Sequence, residues 1–107
     1  MASQIVLILT TVGEKKVARK LSRELVEENL AACVSIGSPL TSVYSWEGEV
    51  VEDKEYPLLV KTTDSRREAV QDFLQGNHPY DCPEVLSLRV EEASEDYESW
   101  LQEVVAR

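Results

Sequence analysis

The sequence has no long apolar run and no leader-like start. No segment approaches the roughly 18 to 20 apolar residues that a helix needs to cross a bilayer. The first residues, MASQ, lack the basic and then apolar pattern of a secretory signal. We therefore expect a cytoplasmic protein without a membrane segment.

Basic residues are also in short supply, and this narrows the range of partners. The chain has 11 Lys and Arg against 20 Asp and Glu, which gives a formal net charge of −9. A negative field repels phosphate groups and raises the local concentration of cations. Nucleic acid and anionic membrane surfaces are therefore not expected as partners.

Cysteine is scarce as well. The chain contains Cys33 and Cys82 and no other cysteine. A small secreted fold held together by disulfides would usually carry more, and these two lie far apart in the sequence. We expect both side chains to be reduced thiols.

The residues that are present are typical of one globular domain. The apolar fraction is 43% and the charged fraction is 29%, whereas a disordered chain would have far fewer aliphatic residues. A chain of 107 residues is long enough for one hydrophobic core and too short for two. We therefore expect a single domain that spans residues 1–107.

Hydrophobic periodicity and turn residues give an alternating order of strands and helices. The run QIVLILTT, residues 4–11, is apolar without alternation, which is typical of a central strand covered on both faces. Thr11 and Glu14 fit a capping box that begins the first helix, and Gly76 is expected to cap the end of the second. The remaining pattern predicts a first helix that ends near Asn29 and later helices that begin at Asp64 or Ser65 and at Ser94. It predicts further strands over 32–46, over 50–62 and over 85–90. The first of these strands is broken at 37–39, and the second has a bulge or an unpaired edge at Pro57.

This order predicts an α+β fold of the ferredoxin-like type, βαββαβ with an additional C-terminal helix and a long β-hairpin. Right-handed crossovers bring both long helices to the same face of one antiparallel sheet. The other face of the sheet is then left without a cover.

Two features indicate that another chain covers this face. The first strand is apolar at odd and even positions alike, so both of its faces need a cover. The hairpin strands are each about a dozen residues against a usual ~5 to 6, and protruding strands invite pairing with another chain. We predict a homo-oligomer closed by sheet packing and strand pairing, with Tyr44 and Trp46 in the interface. The alternative is a monomer whose terminal helix covers the sheet.

The densest polar cluster is the segment HPYDCPE, residues 78–84, which contains the only histidine. Its two prolines make the loop stiff. An imidazole with a carboxylate or thiolate suits borderline cations such as Cu(II) or Zn(II), so one interpretation is a metal site with His78 as a ligand. The other interpretation is structural: His78 stabilises the end of the preceding helix, Tyr80 packs, and Glu84 accepts backbone hydrogen bonds.

Cys33 lies in LAACV, at the join of the first helix and the second strand. A buried free cysteine usually behaves as a small apolar side chain, whereas a metal ligand or a nucleophile needs a partner that stabilises the thiolate. A triad of Cys33, His78 and Asp81 can be written down, but nothing local in the sequence brings the three together. We therefore do not expect an enzyme.

Lys61 lies within the apolar segment LLVKTT. An ammonium group there needs a carboxylate such as Glu84 or Glu49, or else an anionic ligand. The alternative is an edge-facing lysine that protects against aggregation. The turn 13–16, with a glycine and two lysines at a helix N-terminus, is a weaker candidate for an anion site.

Several blocks of the sequence, taken together, resemble the CutA family, whose members are linked by name to divalent cation tolerance. The similarity runs from about residue 6 to residue 101, nearly the whole chain. The blocks that carry it are LVEENLAACVSI, SVYSWEGEVVEDKE, LLVKTT, HPYDCPE and YESWL.

The resemblance implies a tight trimer of ferredoxin-like subunits that exchange their long hairpins, an architecture shared with the PII signalling proteins. It also implies an association with copper and other divalent metals. Cys33, His78 and Glu84 match family positions discussed as metal ligands or as part of the cleft between subunits.

Two functions follow as hypotheses. The first is a non-enzymatic trimer that binds a divalent metal, Cu(II) foremost, through His78 with help from Cys33 or Glu84 in a cleft between subunits. The second is a PII-like regulatory or scaffolding trimer whose clefts bind a small anion, or whose surface binds a partner protein. In that case Lys61, Tyr80 and the turn 13–16 would matter more than Cys33.

Overall fold

Strand β1 (Ile5–Val12) lies inside the sheet with a strand on each side, as its unbroken apolar pattern predicts. The computed structural model describes residues 3–107, so the first two residues of the predicted domain 1–107 lie outside the described residues. Within residues 3–107, no helix is both long enough and apolar enough to span a membrane. The elements that follow β1 are α1 (Lys15–Glu27), β2 (Cys33–Ile36), β3 (Leu40–Trp46), β4 (Glu49–Thr63), α2 (Asp64–Asn77), β5 (Leu86–Arg89) and α3 (Glu95–Val105).

The strands form one antiparallel sheet in the order β2, β4, β1, β5. Strand β3 continues the edge that β2 begins, because both pair with successive parts of the long strand β4. In this register Ile8 pairs with Val60, and Cys33 pairs with Lys61. The predicted α+β class, with an antiparallel sheet and a long hairpin, is confirmed.

Helices α1 and α2 pack on the face formed by the even-numbered residues of β1. Ile8 and Val60 are fully buried there, in the same cluster as Leu25 of α1 and Leu74 of α2. Burying one such side chain contributes roughly 1.5 to 3 kcal/mol, so this layer is the main source of stability within one chain.

The opposite face is covered by α3 at one end only. Ile5 and Ala32 are buried there against Leu101 and Val105 of α3. Beyond this contact the sheet presents leucines, of which Leu86 and Leu88 are about half exposed at 51% and 49%. The prediction of a bare sheet face is confirmed, and α3 does not cover all of it. We call the open face the surface formed by Leu7, Leu9, Leu59, Leu86 and Leu88.

The hairpin of β3 and the first half of β4 projects from the sheet as a two-stranded ribbon. Residues 49–55 pair with β3, whereas β1 begins to pair with β4 only at Tyr56. The ribbon exposes apolar side chains, among them Val50 and Trp46. Because an isolated two-stranded hairpin is marginally stable in water, this ribbon needs a further surface to pack against.

Two helix caps differ from the predictions. Thr11 does not cap α1: it lies inside β1, paired with Pro57, and the N-cap is Glu14, which makes no side-chain capping bond. Gly76 does not end α2, because the helix continues to Asn77 and the backbone N–H of His78 donates to the carbonyl of Leu74.

The break in the predicted strand 32–46 is confirmed at residues 37–39. The Gly37 N–H donates to the Pro57 carbonyl at 2.9 Å, and a Cβ on Gly37 would lie 2.8 Å from Cγ of Pro57. This close approach requires glycine. The predicted bulge at Pro57 is wrong, because Pro57 pairs with Thr11 in regular register. The alternative, a locally unpaired edge, is confirmed: on its other side Pro57 faces the gap between β2 and β3, where its missing N–H is not needed.

Candidate functional site

A groove of about 520 Å³ opens between the base of the hairpin and the segment 78–84. One wall is the hairpin, which supplies aromatic and small side chains. The other wall is the stiff loop after α2, and the floor is the end of β1. The lining residues are Thr11, Ser42, Val43, Tyr44, Trp46, Glu55, Tyr80, Asp81, Cys82 and Glu84.

Glu55 is the most buried charged residue of the groove, with 9% of its surface exposed. Its Oε2 accepts hydrogen bonds from the Thr11 hydroxyl at 3.1 Å and from the Tyr80 hydroxyl at 2.9 Å. Thr11 pairs with Pro57, so Glu55 is its diagonal neighbour on the same face of β4. Burial, followed by the bond to Glu55, raises the pKa of Tyr80, which therefore keeps its proton at neutral pH.

Tyr44 forms a second phenol and carboxylate pair on the hairpin. Its hydroxyl donates to Asp53, and this bond is the main cause of the raised pKa of Tyr44. Tyr44 thus lies beside Trp46 in the groove wall with its hydroxyl already engaged.

His78 holds the loop wall in place. Its Nε2 lies 2.9 Å from the Thr11 carbonyl oxygen, which can only accept, so Nε2 carries the proton and donates. Its Nδ1 accepts from the backbone N–H of Tyr80 at 3.1 Å, and the two rings meet edge to face at 4.8 Å. Burial lowers the pKa of His78. The side chain is therefore a neutral imidazole with both ring nitrogens engaged.

Cys33 and Lys61 lie together at a different place. Lys61 Nζ donates to the Cys33 sulfur at 3.7 Å and to the Ser35 hydroxyl. These side chains share the side of the sheet that carries the open face, since Lys61 pairs with Leu7. The suggestion that Glu84 or Glu49 pairs with Lys61 is wrong, because Lys61 forms no ion pair within residues 3–107.

The three predicted metal ligands do not meet within one chain. Glu84 lines the groove, and His78 lies behind the loop wall, bonded to the Thr11 carbonyl. Thr11 pairs with Pro57 of β4, whereas Cys33 pairs with Lys61 of the same strand. Pro57 and Lys61 are four residues apart along β4, a distance of about 13 Å. Among the described residues, no group of three or more His, Cys, Asp or Glu side chains is arranged to hold a metal ion. The same separation keeps Cys33, His78 and Asp81 from forming a triad.

Sequence reasoning missed Glu55, and it misread Thr11 as a helix cap. The only local signal for Glu55 was a carboxylate in the return strand of the hairpin, in the segment DKEYP. Its importance depends on contacts with residues 25 and 44 positions away in the sequence. Tyr80 was identified through its cluster, and the structure gives it a defined partner. Glu84 was expected to accept backbone hydrogen bonds and makes none within residues 3–107.

Comparison with known proteins gives this fold a family. The family model described as CutA1 divalent ion tolerance protein matches residues 6–104. The chain belongs to this family. It is 47% identical over 96 residues to the divalent-cation tolerance protein CutA of Thermus thermophilus, covering 90% of this chain and 93% of that relative. The crystal structure of the divalent ion tolerance protein CutA1 from Ehrlichia chaffeensis superposes with a TM-score of 0.93 at 32% identity, covering 100% of this chain and 99% of that one.

Some relatives are longer than this chain. It is 39% identical over 94 residues to human protein CutA, covering 88% of this chain but only 52% of the human protein. The chain therefore spans about half the length of that relative. The CutA resemblance of the sequence blocks is confirmed, and the family name refers to tolerance of divalent ions rather than to a catalysed reaction.

Proposed function

We propose that the protein is a cytoplasmic, non-enzymatic homotrimer that binds divalent cations, Cu(II) foremost, and thereby serves divalent cation tolerance. The family supplies the relation to divalent ions. The trimer, the metal and the compartment are our inferences from this chain. Two free thiols, one of them exposed, support a reducing compartment.

The observation that carries the proposal is the open face. Five leucines face outward on a sheet that α3 covers at one end, and Cys33 lies beside them. Apolar surface of this kind marks an interface with another chain. Another subunit packed here would bring its own side chains to Cys33, which forms no metal-ligating group with other side chains of residues 3–107.

The proposed ligands differ in how readily they fit a metal ion. Glu84 and Cys33 are free of strong ion pairs within residues 3–107, and a thiolate or carboxylate with an imidazole suits Cu(II) or Zn(II). His78 fits only if it gives up its bond to Thr11 or to Tyr80. One chain therefore does not hold a complete site among its described residues, and the proposed site combines side chains of neighbouring subunits.

Copper titration of the purified oligomer tests this proposal. Calorimetry at neutral pH compares the wild type with His78→Ala, Cys33→Ser and Glu84→Gln. Glu92→Gln is the matched control, because Glu92 is exposed in the segment between β5 and α3 and does not line the groove. We expect the three site variants to weaken Cu(II) binding at least about tenfold, with the control unchanged. Equal Cu(II) affinity of the wild type and all four variants would show that none of the three proposed residues is a metal ligand.

A second candidate function rests on Lys61. This ammonium group is half-buried beside the open face and makes no ion pair within the described part of the chain, so an anion would satisfy it. This is the PII-like alternative, a regulatory trimer with an anionic ligand. The carboxylates around Tyr80 argue against an anion in that groove. A thermal-shift screen of phosphate, nucleotides and carboxylic acids, with Lys61→Met as control, distinguishes it from the metal proposal.

A further inference from the structure

Glu55 is a buried carboxylate without a cation. Nine-tenths of its surface is covered, yet none of the Lys, Arg or His side chains of residues 3–107 forms an ion pair with it. Its hydrogen bonds from Thr11 and Tyr80 both fall on Oε2, which leaves Oε1 without a donor in the same range. Charged side chains are rarely buried without a partner of opposite charge.

The groove that Glu55 lines also contains no positive side chain from the described residues. Its other charged lining residues are Asp81 and Glu84, and no Lys, Arg or His appears among the lining residues. A cation that enters the groove therefore meets Glu55 at the base of the hairpin wall and two carboxylates on the loop wall, and no charge from the described residues that repels it.

The walls indicate what kind of cation fits. Tyr44, Trp46 and Tyr80 all face the groove, and aromatic rings attract ammonium groups through their negative faces. Among the described residues, no group of three or more His, Cys, Asp or Glu side chains is arranged to hold a metal ion, so the groove does not form a metal site within one chain. A volume of about 520 Å³ suits an extended organic molecule with several ammonium groups.

We infer that this groove binds a small organic polycation of the polyamine class, with Glu55 as the buried anchor and Trp46 and Tyr44 as the aromatic wall. The inference does not depend on metal binding at Cys33 or His78, although the groove shares Glu84 with the proposed metal ligands. The groove lies at the base of the hairpin, which the proposed trimer exchanges between subunits, so the binding experiment uses the protein in its native oligomeric form.

Spermidine is the probe, titrated by calorimetry at pH 7 and low ionic strength. We expect a defined stoichiometry of one site per chain, and a dissociation constant for Glu55→Gln at least about tenfold above that of the wild type. Glutamine keeps an acceptor for Thr11 and Tyr80, so the fold is retained while the charge is lost. Glu92→Gln removes the same charge outside the groove and is expected to bind spermidine as the wild type does.

A second variant keeps the test decisive if Glu55→Gln folds poorly. Trp46 is half exposed, so Trp46→Leu leaves the core intact, and we expect it to weaken spermidine binding several-fold. In a Trp100→Phe background, Trp46 fluorescence reports binding directly. Cys33→Ser is expected to retain spermidine binding even where it loses Cu(II), which separates this site from the proposed metal site.

Two results would overturn the inference. The first is the absence of spermidine binding to the wild-type oligomer, which would mean that a side chain of a neighbouring subunit already neutralises Glu55. The second is equal weakening by Glu55→Gln and Glu92→Gln, which would mean that the net charge attracts spermidine without a site.

Discussion

The stability of a buried carboxylate depends on the hydrogen-bond donors around it. For Glu55 these donors are the hydroxyls of Thr11 and Tyr80, which come from β1 and from the loop after α2. This arrangement ties three separate parts of the chain together at the groove. Its strength can be measured because Tyr80 can lose its hydroxyl without losing its ring.

Tyr80→Phe is expected to lower the free energy of unfolding by roughly 1.5 to 3 kcal/mol, since a hydrogen bond to a charged group is lost. Urea unfolding followed by circular dichroism measures the change. Tyr97→Phe is the matched control: its exposure of 38% is close to the 37% of Tyr80, and its hydroxyl makes no hydrogen bond within the described residues. Equal effects of the two substitutions would show that the bond to Glu55 contributes no stability.

The lowered pKa of His78 predicts that the stability of the protein depends on pH. Burial lowers its pKa in the folded state below the ordinary 6.5, so between these two values the unfolded chain binds more protons than the folded chain. Stability is therefore complete above about pH 6.5 and is lost as the pH falls through the folded pKa. Urea unfolding from pH 7.5 to 5.5 is expected to show this loss in the wild type and not in His78→Gln, and parallel profiles would contradict it.

At the scale of single residues, the sequence predicted the polar cluster 78–84 but not the contacts that its side chains make. Residues 78–84 stood out because an imidazole, a phenol, a thiol and carboxylates occur together. The bond of His78 to Thr11 spans 67 residues, and no local pattern encodes it. Glu55 was missed for the same reason, since its neighbours in the sequence are not its neighbours in space.

The turn at residues 47–48 has the backbone conformation that a tight β-hairpin requires. Glu47 and Gly48 both have positive φ, 50° and 82°, which is the pattern of a type I′ turn and matches the twist of the two strands. Glycine adopts this conformation freely, whereas other residues are strained in it.

Gly48→Ala is expected to lower the stability by about 1 kcal/mol, because alanine is strained at this φ. Gly76→Ala is the opposite case: Gly76 lies near the end of α2, and no atom lies within 4 Å of the position that an alanine Cβ would take, so alanine there is expected to raise stability by up to about 0.5 to 1 kcal/mol. Thermal unfolding measures both. Shifts of the same sign would contradict this account of the two glycines.

Element type was more predictable than element ends. The unbroken apolar run predicted a strand inside the sheet, and the break at 37–39 divides β2 from β3 as the sequence indicated. The start of α3 was found, since Ser94 is its N-cap, although its side chain makes no capping bond. The start of α1 was not found, because the Thr11 hydroxyl donates to Glu55. A hydroxyl in a capping position has competing partners that only the folded chain provides.

The whole molecule is organised around a sheet with one covered face. The even face of β1 is buried under two helices, whereas the open face and the ribbon remain exposed in one chain. Sequence analysis predicted this imbalance from strand composition and strand length. The proposed metal site was less predictable: its three residues do not meet within the described part of one chain, and one sequence cannot place the side chains of a second subunit.

Leu88→Glu is expected to disrupt the oligomer, since it places a charge in the middle of the open face, where burial of an unpaired carboxylate is costly. Val26→Glu is the matched control: Val26 is exposed on the outer helix α1, away from the open face. Size-exclusion chromatography is expected to show smaller particles for Leu88→Glu and no change for Val26→Glu. An unchanged elution volume for both variants would exclude the open face as the interface.

The most direct test of the central claim is the molar mass of the wild-type protein in solution, measured by light scattering after size-exclusion chromatography. One chain has a mass of 12.1 kDa. The account predicts a particle of three chains at micromolar concentration, because neither the open face nor the ribbon is satisfied within one chain. A particle of one chain, stable and unaggregated at that concentration, would contradict it.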